Sequence, residues 1–312
     1  MPELLAEEDE TVIEQVADKK FVVTPLIQDV VDQAMAYLKA DFPIHFCGPA
    51  GTGKSALAMY VAAQFKRPIV LIHGDEEFGT SDLVGGEAGF RSKRVRDQYI
   101  HSVIKVEEDV SKRWVDYRLT TACRHGFTLV YDEFTRSKPT ANNVFLSVLE
   151  ERMLDMPTLV ESEREYVRVA PTFRAIFTSN PSEYAGVHRA QDALVDRLVT
   201  FHLDHFDKET EIAITVARAG ISEADAKKIV NIVQDFRAEE KAAKAEHTPS
   251  VRECIKIAKT LKVRKASPRK GDEFFRKLCY HALTNEPHRV STKGVKSSAA
   301  LKLVDSLIAK YC

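Results

Sequence analysis

The sequence predicts a three-layer α/β sandwich built on a parallel sheet, followed by a small all-helical domain. Three observations carry that prediction. Short apolar runs alternate with segments of helical period from residue 26 to about residue 206, as parallel strands covered on both faces require. A glycine-rich phosphate-binding pattern stands between the first such run and a helix. Beyond about residue 207 the strand pattern stops and only helical periods remain.

Taken in order, residues 1–18 hold seven acids (Glu3, Glu7, Glu8, Asp9, Glu10, Glu14, Asp18) and no Lys or Arg. Residues 1–20 therefore read as a flexible or loosely docked acidic arm. Ile27, Val30, Val31, Ala34, Tyr37 and Leu38 give a helical period over 26–40. Ile44-His45-Phe46-Cys47 is the first buried strand, and Ala56–Phe65 is the helix after the glycine-rich turn. Pro68–Ile72, Phe127–Tyr131, Phe173–Thr178 and Val199–Leu203 are the remaining strands, with a helix over Thr140–Glu150. Residues 79–118 are long for a strand-to-helix connection. They carry glycine-rich Val84–Phe90, basic Arg91–Arg96 and Trp114, and read either as a substrate-engaging loop or as a solvated excursion with Trp114 in a minor core. Residues 153–172 read as a β-hairpin with Glu161–Arg164 at its tip.

Asp207–Ala219 is helical and stops at Gly220, and Ser222 with Asp225 resembles a capping box opening the next helix. Segments 250–265, 269–283 and 297–310 complete the helical part. The organisation is an acidic arm (1–20), an α/β nucleotide-binding domain (21–206) and a helical domain with a basic C-terminal extension (207–312).

Composition narrows the function classes. The 312 residues are 44% hydrophobic and 29% charged, which suits a globular core rather than a disordered chain. A formal net charge of −1 gives no general attraction for nucleic acid. Residues 251–279 hold ten Lys/Arg against three acids, but a charge run on helices is ordinarily a solvated face, and no base-reading motif accompanies it. The five cysteines (Cys47, Cys123, Cys254, Cys279, Cys312) form no C-x-x-C pair, which argues against a disulfide framework or structural zinc and suits a reducing compartment. The acidic start is unlike a signal peptide and no apolar run reaches membrane-span length, so a cytoplasmic protein is expected.

The chemistry concentrates at a few points. Gly48-Pro49-Ala50-Gly51-Thr52-Gly53-Lys54-Ser55 is the phosphate-binding pattern G-x-x-x-x-G-K-S/T. Its glycines let main-chain N–H groups approach an anion at a helix N-terminus. Lys54 is expected on the β- and γ-phosphates and Ser55 on Mg²⁺. Phe127–Tyr131 ends in Asp132-Glu133, where Asp132 would join Ser55 on Mg²⁺ and Glu133 would deprotonate the attacking water. The strand Phe173–Thr178 leads to Ser179-Asn180, and Asn180 can meet the γ-phosphate or the lytic water. Arg197 is a candidate to stabilise transition-state charge on a neighbouring subunit's nucleotide, with Arg189 as its rival. The bland alternative is a surface arginine paired with Asp192 or Asp196. Arg252, in the first turn of a helix opened by Pro249-Ser250-Val251, is a candidate to reach the nucleotide from the helical domain.

In order, these motifs resemble those of the AAA+ ATPase superfamily over roughly residues 20–265: Walker A at 48–55, Walker B at 127–133, sensor-1 Asn180, a finger arginine and sensor-2 Arg252 in a helical lid. The hairpin before sensor 1 and the insert after the second strand are similar to the MoxR branch. Within it, Arg118–Ala122, Gly126–Ser137 and Ala141–Arg152 are similar to the gas vesicle protein N family, the Tyr131-Asp132-Glu133-Phe134-Thr135-Arg136-Ser137 stretch most specifically. The resemblance implies an Mg²⁺-dependent cytoplasmic ATPase needed to build gas vesicles. It implies a ring homo-oligomer, with six copies expected, associated with gas vesicles and acting on their shell or accessory proteins. Families that activate rubisco or nitric oxide reductase share the ATPase motifs but not this stretch, and leave activation of a metalloenzyme as the alternative. A non-hydrolysing scaffold is disfavoured by the intact Lys54, Asp132 and Glu133.

Overall fold

Five parallel strands and one short antiparallel edge strand form the central sheet of this chain, seen in a computed structural model that describes residues 12–13, 20–94, 108–156, 166–180, 192–242, 248–284 and 299–312. Up to the last strand the elements are β1 (Val12–Ile13), α1 (Pro25–Lys39), β2 (Ile44–Cys47), α2 (Lys54–Ala63), β3 (Ile69–His73), α3 (Thr80–Val84), β4 (Gly85–Arg94) and β5 (Glu108–Asp116). They continue with α4 (Arg118–His125), β6 (Thr128–Asp132), a 3₁₀ turn (Phe134–Arg136), α5 (Pro139–Asn142), α6 (Val144–Glu150), β7 (Met153–Asp155), β8 (Tyr166–Arg168), β9 (Arg174–Ser179), α7 (Asp192–Val195) and β10 (Val199–His202). The helical part is α8 (Lys208–Ala219), α9 (Glu223–Ala242), α10 (Val251–Val263), α11 (Glu273–Leu283) and α12 (Ala299–Tyr311).

The described residues fall into two compact units. The first takes those of Met1–Val16, Met35–Phe46 and Val61–Phe201; the second takes those of Ala17–Ala34, Cys47–Tyr60 and His202–Cys312.

In the first unit the strand order is β1-β3-β6-β9-β2-β10. β3 pairs with β6 in parallel from Ile69↔Thr128 to His73↔Asp132, and β6 pairs with β9 from Thr128↔Arg174 to Tyr131↔Phe177. The five strands expected from sequence are all present. β6 is buried at every position, as a central parallel strand is, and it reads as a largely apolar run. This order sets β9, which ends beside Asn180, between β6, which ends at Asp132, and β2, which feeds the glycine-rich loop. β1, pairing antiparallel at Val12↔Val70, has no counterpart in the sequence reading; the rest of the acidic arm up to residue 19 lies outside the described residues.

Three local outcomes differ from, or add to, the expectations. The segment 79–118 is not a plain loop. It is α3 followed by an antiparallel β4–β5 hairpin whose register runs from Gly85↔Asp116 to Arg94↔Glu108, with an irregularity between Ala88 and Phe90. The helix expected over 140–150 comes as two pieces, α5 and α6, with Pro139 in the first turn of α5 and Asn143 at the join. β7 and β8 form the expected hairpin, while its Glu161–Arg164 tip lies outside the described residues.

The core of the first unit holds an aromatic cluster under the ends of β6 and β9. Tyr131, Phe134, Phe145 and Phe177 are fully buried, with ring centroids 5.3–6.2 Å apart in edge-to-face and tilted pairs. Each such ring contributes about 1.5–3 kcal/mol by burial, with a further ~1 kcal/mol per well-oriented pair.

The second unit has its own core, in which Ile229, Val233, Phe236, Ile257, Leu261 and Phe275 are buried. α12 belongs to that core through Val304, Leu307 and Ile308. Arg276 forms a bidentate pair with Asp305, and Asp235 accepts from Lys310 at 2.7 Å and from the Tyr311 hydroxyl at 2.5 Å. The basic C-terminal extension is thus packed helix where the structure describes it. No helix among the described residues is long and apolar enough to cross a membrane.

Candidate nucleotide site

The glycine-rich loop leaves the end of β2 and closes onto α2, whose first residue is Lys54. Gly51 and Gly53 have φ of +81° and +78°, a region that L side chains rarely adopt. A Cβ on Gly51 would stand 2.5 Å from Ser250 Cβ and closer still to its hydroxyl, so Gly51 is fixed by contact as well as by conformation. Arg252 Cδ is 3.8 Å from the same point, which brings the expected sensor-2 arginine to the loop. The turn holding it is well specified. Ser250 caps α10, its hydroxyl accepts from Arg252 N–H at 3.2 Å, and Glu253 accepts from Ser250 N–H at 2.8 Å. Thr52 Oγ1 donates to Pro49 O at 3.0 Å. Lys54 is buried and its ammonium donates to Gly48 O and Pro49 O at 2.7 Å each, so the loop's own carbonyls hold the cation at the mouth of the turn. Ser55 is exposed one residue on, and Ala50 lies on the outer part of the loop.

At the end of β6 the acids are organised by a side chain from β9. Thr178 Oγ1 donates to Asp132 Oδ1 at 2.5 Å and accepts from the Glu133 N–H at 2.9 Å. Asp132 is buried, with His73 Nδ1 at 3.6 Å from its other oxygen. Glu133 takes a left-handed backbone (φ 54°) and its carboxylate accepts from Arg136 at 3.0 Å. The αL turn swings Glu133 out of the strand while Asp132 stays in it. Behind them, the buried Tyr131 hydroxyl meets Ser137 Oγ at 2.7 Å and Asn142 Oδ1 at 3.1 Å, and Asn142 Nδ2 donates to Phe134 O at 3.2 Å. Burial pushes the Tyr131 phenol up to about 12, so it stays a neutral hydroxyl at any working pH. The stretch that carried the family resemblance is therefore a clamp on the turn bearing Glu133.

Asn180 is buried at the end of β9. Arg197 lies just before β10 and is held within its own chain: its guanidinium pairs with Glu150, and Nη1 donates to Ala193 O at 2.5 Å. Its partner is Glu150 rather than Asp192 or Asp196. Arg189 lies outside the described residues.

Two residues of this region carry no signal in the sequence motifs. Thr178 reads in the sequence only as a strand residue, yet it bridges both acids. His45, inside an apolar run, is buried in β2, with Nε2 2.8 Å from Ser179 Oγ, Nδ1 3.1 Å from Thr200 Oγ1, and its ring edge-on to Phe134. A histidine inside an apolar strand ahead of a phosphate loop was the available signal.

The residues present fit a nucleoside triphosphate with a divalent cation. The loop, in the second unit, offers main-chain N–H groups and an ammonium, which suit phosphate, and the buried Asp132 carboxylate, in the first, is a hard-oxygen donor of the kind Mg²⁺ takes.

Comparison with known proteins points to an ATPase. Residues 43–198 match the AAA domain (dynein-related subfamily). The chain is 49% identical over 263 residues to the gas vesicle ATPase GvpN of Ancylobacter aquaticus, covering 84% of this chain and 72% of that protein. It is 47% identical over 221 residues to GvpN of Haloferax mediterranei, covering 70% of this chain and 63% of that one, so it spans under two thirds of the haloarchaeal relative. Protein CbbQ of Hydrogenophilus thermoluteolus is 24% identical over 206 residues, 66% of this chain and 69% of its own length. Among solved structures, a variant of RuvB from Thermotoga maritima superposes with a TM-score of 0.51 at 16% identity, over 86% of this chain and 72% of that one, which speaks for the fold alone. Near-50% identity over most of the sequence goes well past shared architecture, and the chain belongs to the gas vesicle ATPase family of AAA-domain ATPases.

Proposed function

We propose that this protein hydrolyses ATP with Mg²⁺ and uses the cleavage to remodel gas vesicle shell or accessory proteins during vesicle assembly, working as a ring of identical chains, six by expectation. The observation that carries this reading is that Thr178 bridges the acid pair at the end of β6 in a chain whose sequence also carries a complete phosphate loop. The names of the relatives support the vesicle context. A cytoplasmic location with association to vesicles follows from the same reading.

In this proposal Lys54 exchanges the Gly48 and Pro49 carbonyls for phosphate oxygens. Ser55 and Asp132 hold the cation, which when bound offsets phosphate charge. Glu133 exchanges Arg136 for the attacking water and takes its proton. Asn180 orients that water or the γ-phosphate, and Arg252 meets the nucleotide from α10. Arg197 acts in trans, and must first release Glu150 to do so.

The test is the Glu133→Gln chain. It should keep ATP affinity while turnover falls by about 10²–10⁴-fold, as expected for loss of a general base. Lys54→Ala should lose ATP affinity instead. Normal hydrolysis by Glu133→Gln would refute the assignment, and unaltered hydrolysis by assembled Arg197→Ala would take the finger role from that residue. Expressed in cells, the Glu133→Gln form should retain vesicle shell or accessory proteins. Recovery of a carboxylase or an oxidoreductase in their place would convert the reading to activation of a metalloenzyme.

A further inference from the structure

The second unit contains a buried ion pair that the proposed chemistry does not use. Glu211 of α8 and Arg237 of α9 pair at 2.8 Å, with side chains only 1% and 7% exposed. Burial pushes Glu211 upward against the opposing pull of Arg237. Replacing such a pair by apolar side chains is often neutral or stabilising, so fold stability alone gives weak reason for it. Its geometry shows a more specific use. Arg237 uses two guanidinium donors at once: Nη2 to Glu211 Oε1 at 2.8 Å and Nε to the Pro249 carbonyl at 2.6 Å. Gln234 Nε2 occupies the second Glu211 oxygen at 2.9 Å, so the carboxylate cannot swing away.

Pro249 precedes Ser250, and Ser250 is the residue against which Gly51 of the phosphate loop has no room for even a methyl. Arg252 stands on the same turn. A continuous path therefore runs from Glu211 through Arg237 and the Pro249 carbonyl to Ser250 and Gly51. We infer that Glu211 and Arg237 are positioning residues for nucleotide binding: they fix the Pro249 carbonyl and thereby hold the first turn of α10, with Ser250 and Arg252, against the phosphate loop. Lysine cannot replace Arg237 here, since a single ammonium does not reproduce a planar fork aimed at two acceptors. The inference rests on the reading of residues 48–55 as the ATP-binding loop.

The experiment uses the full chain and measures both thermal midpoint and ATP affinity. Glu211→Leu with Arg237→Met should retain the thermal midpoint, yet bind ATP about tenfold more weakly, because a loosened turn no longer meets the loop. Arg237→Lys should weaken ATP binding similarly at temperatures well below its own midpoint, whereas Glu211→Gln, which keeps an acceptor for Nη2, should stay near the parent. Lys54→Ala is the reference. If Lys54→Ala loses ATP and the double variant binds it as the parent does, the positioning role is overturned while the loop reading survives. A lowered midpoint with unchanged ATP affinity in Arg237→Lys has the same meaning. If Lys54→Ala itself binds ATP normally, the loop reading fails and this inference falls with it. Should the double variant not fold, the Arg237→Lys and Glu211→Gln comparison decides alone.

Discussion

The phosphate loop and the acid pair are built by opposite means. The loop is a main-chain object: Gly51 and Gly53 stand at positive φ, a Cβ on Gly48 would overlap the Leu203 carbonyl, and Ser250 fills the space beside Gly51. The acid end is a side-chain object: Thr178 bridges Asp132 and Glu133, and Tyr131, Ser137 and Asn142 clamp the turn behind them. The loop is therefore intolerant of added atoms, and the acid end is intolerant of lost hydrogen bonds. On the proposed chemistry an addition should act on affinity and a deletion on turnover, because the first would displace the surface proposed to meet phosphate and the second would release the groups proposed to meet water.

The largest effect expected from this contrast is at Gly51. Gly51→Ala places a methyl at φ +81° and into Ser250, where rotation of the hydroxyl relieves only part of the overlap because Ser250 Cβ is also too close. Overpacking and left-handed strain together cost about 2–4 kcal/mol, so ATP affinity should fall about 100-fold. Titration calorimetry on the folded variant checks this, and a parent-like dissociation constant would contradict the packing argument.

A smaller and complementary effect is expected at Thr178. Thr178→Val keeps the shape but removes one donor and one acceptor, leaving the Asp132 oxygen and the Glu133 N–H without that bridge. The cost of about 1–3 kcal/mol falls on the placement of the acids, so kcat should drop about tenfold or more with little change in ATP affinity. Thr178→Ser should recover most of the rate. A Thr178→Val chain that loses affinity and keeps kcat would erase the distinction between the two regions.

That same distinction explains what the sequence disclosed. The loop is legible as a pattern because it is contiguous in eight residues, and Asp132-Glu133 because they end an apolar strand. The start of α10, which carries Arg252, is legible through the serine and proline that open it. Thr178, by contrast, acts on residues 46 and 45 positions away, and His45 reaches Ser179 and Thr200, 134 and 155 positions away. No local pattern announces such partners. The β4–β5 hairpin was missed for a different reason: glycines and the Arg91–Arg94 run break the period of two that marks a half-buried strand. The period of α12 was readable, but not that Val304, Leu307 and Ile308 complete a core begun in α9 and α10.

The smallest effect concerns acid, and it falls in the unit that carries the loop. His205 lies between β10 and α8, half-buried, and its imidazole is pushed down to about 4 by burial and then by the nearby Arg237 and Lys241 cations, against the weaker pull of Asp204 and Glu253. Its value in the unfolded chain is the ordinary one near 6.5. Between these two values the unfolded chain binds more protons than the folded one, so stability rises with pH across the window. The stability linked to this group is fully present above about 6.5 and is lost progressively as pH falls toward about 4. With solvent screening at a half-exposed ring, the loss should be on the order of 1 kcal/mol. Urea unfolding at pH 7.5 and pH 5 measures it, and His205→Asn should flatten the difference because asparagine takes up no proton. An equally steep pH dependence in the asparagine variant would mean that the proton goes elsewhere, and that the cations around His205 do not set the acid limit of this unit.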